Sequence, residues 1–293
     1  MGFFDVIKLL RPQQWYKNLL IFLPLIFVGK LFDYSALIKT FYGFIVLCGI
    51  SSTNYIINDF IDREKDKLHP EKKNRPFASE AISPLNPLLI LFEMITLSVW
   101  LWSAIYLGKP FFYAAAFLLL FTQLYSLVLK HQLFLDILSI GVNFVVRAIS
   151  GAFVIDVKIS PWLVLCTFFL SLYLSTGKRH AEVLLLGEKA KQVRETLGYY
   201  TKELTTPLLI ISTTLLIASY SLYSFLSDHK NLVITIPFAL YVIFLYYNYI
   251  ITGNKIARHP EHVFFDKKMM LGMALWGVST ILLLYMPVLG IWK

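Results

Sequence analysis

Nine long apolar runs follow one another along this chain, and they constrain what it can fold into more than any other feature. A helix that crosses a bilayer needs about 20 mostly apolar residues. The runs cover residues 18–36, 38–57, 85–107, 111–129, 133–155, 160–177, 206–226, 232–251 and 270–291. A soluble core has no room for this much apolar surface. The composition agrees: 57% of residues are hydrophobic and 15% charged, against about 25% charged in soluble domains. The expectation is an all-α integral membrane protein with nine transmembrane helices, forming a single domain over residues 1–293. Pro24 interrupts the first run and Asp33 closes it, and the sixth run is short. Pro161, Pro207 and Pro237 stand near span starts, where a missing N–H costs little. Cys48 and Cys166 lie inside apolar runs and read as small hydrophobic residues, with neither a disulfide framework nor a zinc spacing. No small-residue cleavage site follows the first run, so no cleavable signal peptide is expected.

Charge orients the spans. With the N-terminus inside, 20 of the 27 Lys and Arg residues fall on the inner side and six on the outer, and Arg147 lies within a span. That asymmetry is a strong positive-inside signal, and it accounts for the net charge of +9 without a nucleic-acid partner. It predicts a multi-pass protein of the cytoplasmic (inner) membrane with its N-terminus in the cytoplasm. The outer connections are short. Three inner segments, 58–84, 178–205 and 252–269, are long and polar, so the elaborate face is cytoplasmic.

The first of these segments holds the densest acids in the chain. Asn58, Asp59, Asp62 and Asp66 are followed by His69, Lys72, Lys73 and Arg75. On a continuing helix, positions 58, 62 and 66 lie one turn apart on one face, with Tyr55 below them and Asp59 beside them. Pro70 and Pro76 are expected to stop that helix near Leu68. Carboxylates stacked this closely repel unless a cation separates them, and hard oxygen donors suit Mg²⁺. Asn58, Asp62 and Asp66 are the candidate metal ligands. Lys72, Lys73 and Arg75 would repel a bare metal but suit one that arrives with a diphosphate. The plain alternative is a solvated helix end of mixed charge.

A second cluster, Gly177-Lys178-Arg179-His180-Ala181-Glu182, follows the sixth run. Two cations and a carboxylate there suit a phosphate and the far side of a metal; the alternative is an anchor with a local ion pair. Lys17 precedes the first span and Lys130 closes the fourth, as phosphate-binding candidates or as snorkelling anchors. Arg147 lies deep in the fifth span and needs a partner: either the intramembrane acid Glu93 or an anionic lipid head. Two histidines three apart, His259 and His262, lack the further ligands of a metal site, and Asp266 reads as a cap or a supporting group. There is no Walker loop, dinucleotide-binding glycine pattern or nucleophile elbow.

Asn58-Asp59-x-x-Asp62-x-x-x-Asp66 resembles the first Asp-rich motif of the UbiA-type intramembrane prenyltransferase superfamily. Four further elements are similar to its decaprenyl-phosphate phosphoribosyltransferase branch: Arg11-Pro12-x-x-Trp15-x-Lys17-Asn18, His69-Pro70-x-Lys72-x-x-Arg75-Pro76, Tyr125-Ser126-x-x-Leu129-Lys130 and Gly177-Lys178-Arg179-x-Ala181-Glu182. The resemblance spans nearly the whole chain. It implies nine helices around a central cavity open to the cytoplasmic side. It also implies Mg²⁺-dependent transfer of 5-phosphoribose from phosphoribosyl diphosphate to a polyprenyl phosphate lipid. Asp59, Asp62 and Asp66 would then be catalytic. Lys72, Arg75, Lys178 and Arg179 would hold donor phosphates, with Tyr55 and Glu182 near the ribose or metal. Lys17, Lys130 and Arg147 would take the lipid phosphate. Ordinary members carry a second Asp pair after the sixth span, which this chain lacks; the extra 5-phosphate of the donor suits the cations standing there. The alternatives are prenyl transfer to an aromatic acceptor and a carrier without catalysis. Assembly as a homo-oligomer is left open.

Overall fold

The computed structural model describes residues 3–67, 72–187, 195–227 and 229–286. His69, Pro70, Lys189, Lys191 and Arg194 lie outside the described residues, as does the side chain of Lys72. The regular structure among the described residues is helical. It begins with α1 (Phe3–Leu10), a 3₁₀ segment (Pro12–Ile21), α2 (Phe22–Phe27), α3 (Tyr34–Ile61) and α4 (Arg63–Lys67). Then come α5 (Pro87–Tyr106), α6 (Lys109–Leu127), α7 (Leu135–Val154) and α8 (Pro161–Leu186). The chain continues through α9 (Lys202–Leu226), α10 (Ile236–Ile251), α11 (Lys255–Arg258) and α12 (Lys267–Tyr285).

Among the described residues, seven helical stretches are long and apolar enough to cross a membrane: Tyr34–Ile61, Pro87–Tyr106, Lys109–His131, Leu135–Val154, Lys202–Leu226, Asn231–Ile251 and Lys267–Tyr285. The first and sixth expected spans are not among them. The first is split into the 3₁₀ segment, α2 and a turn at Gly29, whose φ is +78°. Asp33 caps the following helix, accepting from the Ala36 N–H at 3.1 Å. The sixth, α8, runs well past its expected end at residue 177 and carries Gly177–Glu182 as helix rather than loop. That polar second half makes it less apolar than its neighbours. Two caps fall where turn chemistry places them: Asp266 accepts from the Met269 N–H at the start of α12, and Thr201 from the Leu204 N–H at the start of α9. The early cap at Thr201 starts α9 ahead of the expected position and leaves Pro207 inside the helix.

The chain forms two compact units. One comprises Met1–Leu25, Lys30–Leu127 and Val146–Lys158; the other comprises Ile26–Gly29, Val128–Val145 and Ile159–Lys293. In the first, α3 is the central helix: α1, the 3₁₀ segment, α5 and α6 all pack on it. Between lipid-soluble helices the hydrophobic effect supplies little, so close packing and internal hydrogen bonds hold them together. The 3₁₀ segment is fastened to α3 by side chains. Trp15 Nε1 donates to Ser52 Oγ at 3.0 Å, and Ser52 donates in turn to the Leu10 carbonyl at 2.8 Å. Asn18 Nδ2 reaches Ser51 Oγ and Cys48 Sγ. Gly151 packs directly on the Ile21 carbonyl, leaving no space for a Cβ.

In the second unit, α8 packs along α9 and against α10 and α11. Tyr173, Ala181, Leu209, Leu216, Tyr246 and Ile250 form its buried centre. Gly177 admits the Ile250 side chain where a Cβ would stand. Several hydroxyl groups inside the spans donate to their own helices: Ser150 to the Val146 carbonyl, Thr213 to Leu209 and Thr280 to Trp276. This local bonding lets polar residues sit in lipid without a distant partner.

Replacing Gly151 by Ala forces a methyl group onto the Ile21 carbonyl, and backbone there has little freedom to yield. The expected cost is about 1–3 kcal/mol, read as a lower thermal-unfolding midpoint in detergent. Gly277 has open space around it, so Gly277→Ala is expected to leave the midpoint unchanged or raise it slightly.

Candidate active site

The Asp-rich segment keeps helical register through the α3–α4 junction. The Asp62 N–H donates to the Asn58 carbonyl and the Asp66 N–H to the Asp62 carbonyl, both at 2.9 Å. Asn58, Asp62 and Asp66 are therefore successive one-turn steps, as their spacing predicts. Asp62 is the half-buried C-cap of α3. The Asn58 amide donates to Ser126 Oγ at 2.9 Å, tying the Asp-rich helix to the Tyr125-Ser126 element of α6.

Asp59 and Asp66 are each 3% exposed, and arginines meet both. Arg11 Nη2 donates to the two Asp59 oxygens at 2.7 and 3.0 Å. Arg75 Nη1 bridges the acids, donating to Asp59 Oδ1 at 2.9 Å and Asp66 Oδ2 at 2.8 Å. A buried carboxylate costs several kcal/mol unless paired and hydrogen-bonded, and these contacts supply the pairing. Arg11 also lies 4.9 Å from the centre of the Tyr55 ring, a cation–π distance. It reaches this place from a left-handed backbone conformation, φ +49° and ψ +58°, which costs a non-glycine residue about 1 kcal/mol.

The donor set has the chemistry of a magnesium site: an amide and two carboxylates, all hard oxygens. Among the described residues, no group of three or more His, Cys, Asp or Glu side chains is arranged to hold a metal. Asp59, Asp62 and Asp66 together with Arg11 and Arg75 carry a formal charge of only −1. The residues therefore fit a cation that arrives with an anionic ligand, to which the arginines can turn, rather than a bare ion.

Deeper in the same unit, Arg147 Nε donates to Asn18 Oδ1 at 2.9 Å. Glu93, the alternative partner, accepts instead from Thr53 Oγ1 at 2.8 Å. Lys17 is half-buried, with its ammonium 5.7 Å from the Tyr16 ring centre. Asn54, one turn before Asn58, accepts from Gln123 Nε2. A ladder of polar side chains thus runs along α3, and the Arg11–Asn18 stretch is bonded to it at Asp59, Ser52, Ser51 and Cys48.

The second unit holds a separate polar cluster. Arg179 is 4% exposed. Its Nε donates to Asp136 Oδ2 at 3.0 Å and its Nη1 to Glu182 Oε2 at 2.7 Å. Lys178 Nζ stands 4.0 Å from Glu182 Oε1. Lys130 lies in a 3₁₀ turn, Leu129–His131, and its carbonyl accepts from Thr196 Oγ1 at 2.7 Å. Sequence reasoning names neither Arg11 nor Asp136 as a site residue, although each neutralises or orients one that it does name. Arg11 had a signal in its Arg-Pro pair before a Trp. Asp136 had none, since one acid in the first turn of a helix is ordinary dipole compensation.

Loss of Arg11 strips Asp59 of two bonds while leaving it buried. Arg11→Ala is expected to cost about 3 kcal/mol of stability, whereas Arg11→Gln combined with Asp59→Asn recovers part of that loss. Thermal unfolding of the single and double variants in detergent gives the coupling directly.

Comparison with known proteins places this arrangement. The UbiA prenyltransferase family matches residues 22–265. A decaprenyl-phosphate phosphoribosyltransferase of Mycolicibacterium smegmatis is 31% identical, with 94% of this chain and 91% of that protein covered. An enzyme of the same name from Corynebacterium glutamicum is 28% identical over 96% of this chain and 86% of its own length. Among solved structures, a UbiA homologue from Archaeoglobus fulgidus bound to GPP and Mg²⁺ superposes with a TM-score of 0.69 at 17% identity, covering 94% of this chain and 99% of that one. A chain whose described residues form seven membrane-length helices, with an Asp-rich motif at the end of one of them and relatives of this kind, is a membrane-embedded transferase, and it belongs to the UbiA prenyltransferase family.

Proposed function

We propose that the protein transfers 5-phosphoribose from 5-phosphoribosyl 1-diphosphate to a polyprenyl phosphate, releasing diphosphate in a Mg²⁺-dependent reaction. The M. smegmatis and C. glutamicum relatives support the substrate classes. The structural observation that carries the reading is the matching of acids with cations in both polar clusters. Asp59 and Asp66 face Arg11 and Arg75, and Asp136 and Glu182 face Arg179 and Lys178. Ion pairs of this kind suit a ligand with several phosphates: a guanidinium carries five N–H donors, so an acid can hold it in place on one side while a phosphate oxygen meets it on another.

In this reading, the donor's C1–O bond to diphosphate breaks as a phosphate oxygen of the lipid bonds to C1. The nucleophile is already anionic and requires no strong general base. The main task is to stabilise charge on the departing diphosphate. Mg²⁺, when bound by Asn58, Asp62 and Asp66, supplies Lewis-acid neutralisation of that diphosphate. Arg75, Lys72, Lys178 and Arg179 hold donor phosphates, and Tyr55 and Glu182 flank the ribose. Asp59 holds Arg11 and Arg75 in place. Lys17, Lys130 and Arg147 receive the lipid phosphate. The N-terminus and the reacting groups face the cytoplasm, where phosphorylated sugars are found, and the protein resides in the inner membrane.

The test is transfer by purified protein in lipid nanodiscs, using radiolabelled phosphoribosyl diphosphate and a polyprenyl phosphate. Label is expected to become extractable into organic solvent only with Mg²⁺ present, and chelation is expected to abolish it. Asp62→Ala is expected to lower kcat/KM at least about 100-fold. A folded wild-type protein that yields no lipid-soluble label overturns the reading. The A. fulgidus complex with GPP favours a second one, prenyl transfer to an aromatic acceptor; a prenylated hydroxybenzoate formed from GPP by the purified protein would establish it instead.

A further inference from the structure

Asp136 is the most deeply buried acid among the described residues, at 0% exposed, in the first turn of α7. Isolation of a carboxylate at that depth is costly, and pairing with an arginine only roughly cancels the cost. Two bonds fix its use. Its Oδ2 accepts from Arg179 Nε at 3.0 Å and its Oδ1 from the Tyr200 hydroxyl at 2.5 Å. The Tyr200 phenol, itself buried, also accepts the Phe134 N–H at 3.3 Å. Phe134 holds a left-handed φ of +65° just before α7. Burial and the neighbouring Asp136 carboxylate push the Tyr200 phenol well above its ordinary range, so it stays a donor at any physiological pH.

The surroundings hold this pair still. Ile137, Leu197 and Tyr200 form a buried apolar cluster with Leu133, Leu172 and Val183 packed around it. Thr196 bonds to the Lys130 carbonyl. The stretch 196–200 is thereby tied to the Lys130 turn, to the start of α7 and to α8, which carries Arg179. A guanidinium on a long, flexible stem has rotamer entropy to lose on binding a ligand. Here Asp136 at Nε and Glu182 at Nη1 remove that freedom beforehand.

We propose that Asp136 and Tyr200 are positioning residues: Tyr200 orients Asp136, and Asp136 fixes the Arg179 guanidinium so that it binds a phosphate group of the donor. The inference rests on the assignment of Arg179 to donor phosphate. Its signature is selective. Removing the Asp136 charge weakens binding of the polyanionic donor and leaves affinity for the polyprenyl phosphate unchanged.

The experiment measures KM for each substrate in Asp136→Asn, Tyr200→Phe, Arg179→Gln and the Asp136→Asn/Arg179→Gln double variant. In parallel, Mg²⁺–diphosphate binding is followed by thermal shift, which needs no turnover. Asp136→Asn is expected to raise the donor KM about tenfold or more, and Tyr200→Phe by a smaller factor in the same direction. The double variant is expected to match Arg179→Gln alone. Multiplicative effects in the double variant, or an unchanged donor KM in folded Asp136→Asn, overturn the proposal. Where Asp136→Asn does not fold, Tyr200→Phe decides by the same donor-against-lipid comparison. A wild-type protein that fails to transfer phosphoribose while diphosphate binding still depends on Asp136 overturns the functional reading and not this one.

Discussion

A carboxylate buried at the end of a membrane helix has to be neutralised, and Asp59 is neutralised by two arginines drawn from different parts of the sequence. Arg11 comes from the N-terminal side and Arg75 from beyond α4, and both end on the same acid. That single requirement explains several features that otherwise look unrelated. It gives a reason for a left-handed arginine at position 11. It draws the segment after α4 back toward α3, so that Arg75 bridges Asp59 and Asp66.

The second unit uses the same device with different partners. There a buried acid from the first turn of α7 and a second acid one turn along α8 hold one arginine from both sides. In each unit arginine charge is balanced in place by buried or half-buried acids.

Much of the architecture was legible in the residues. Apolar runs locate seven of the spans, and Asp266 reads as the cap that it forms at the start of α12. The one-turn spacing of Asn58, Asp62 and Asp66 survives in the backbone. Periodicity does not say which acid faces inward. Asp59 lies only one position from Asn58, yet it takes the arginines because it is the one turned toward the 3₁₀ segment. The break in the first span is visible as Pro24, but its cause lies partly in Trp15 and Asn18, whose partners on α3 are more than thirty residues away. The continuation of α8 through Gly177–Glu182 is hidden for a related reason. Polar residues read as a loop unless their buried partners, here Asp136 and Thr205, are known.

The family match begins at residue 22, whereas Arg11, Trp15 and Asn18 all precede it. The short stretch before Phe22 thus forms a splint laid along α3, with Arg11 as a counter-charge to Asp59 at one end. A chimera that kept this chain from Phe22 onward and took an N-terminal stretch without an arginine at position 11 would leave Asp59 with Arg75 alone. In such hybrids the compatibility of the two parts would rest on this electrostatic contact as well as on the match of the hydrophobic spans.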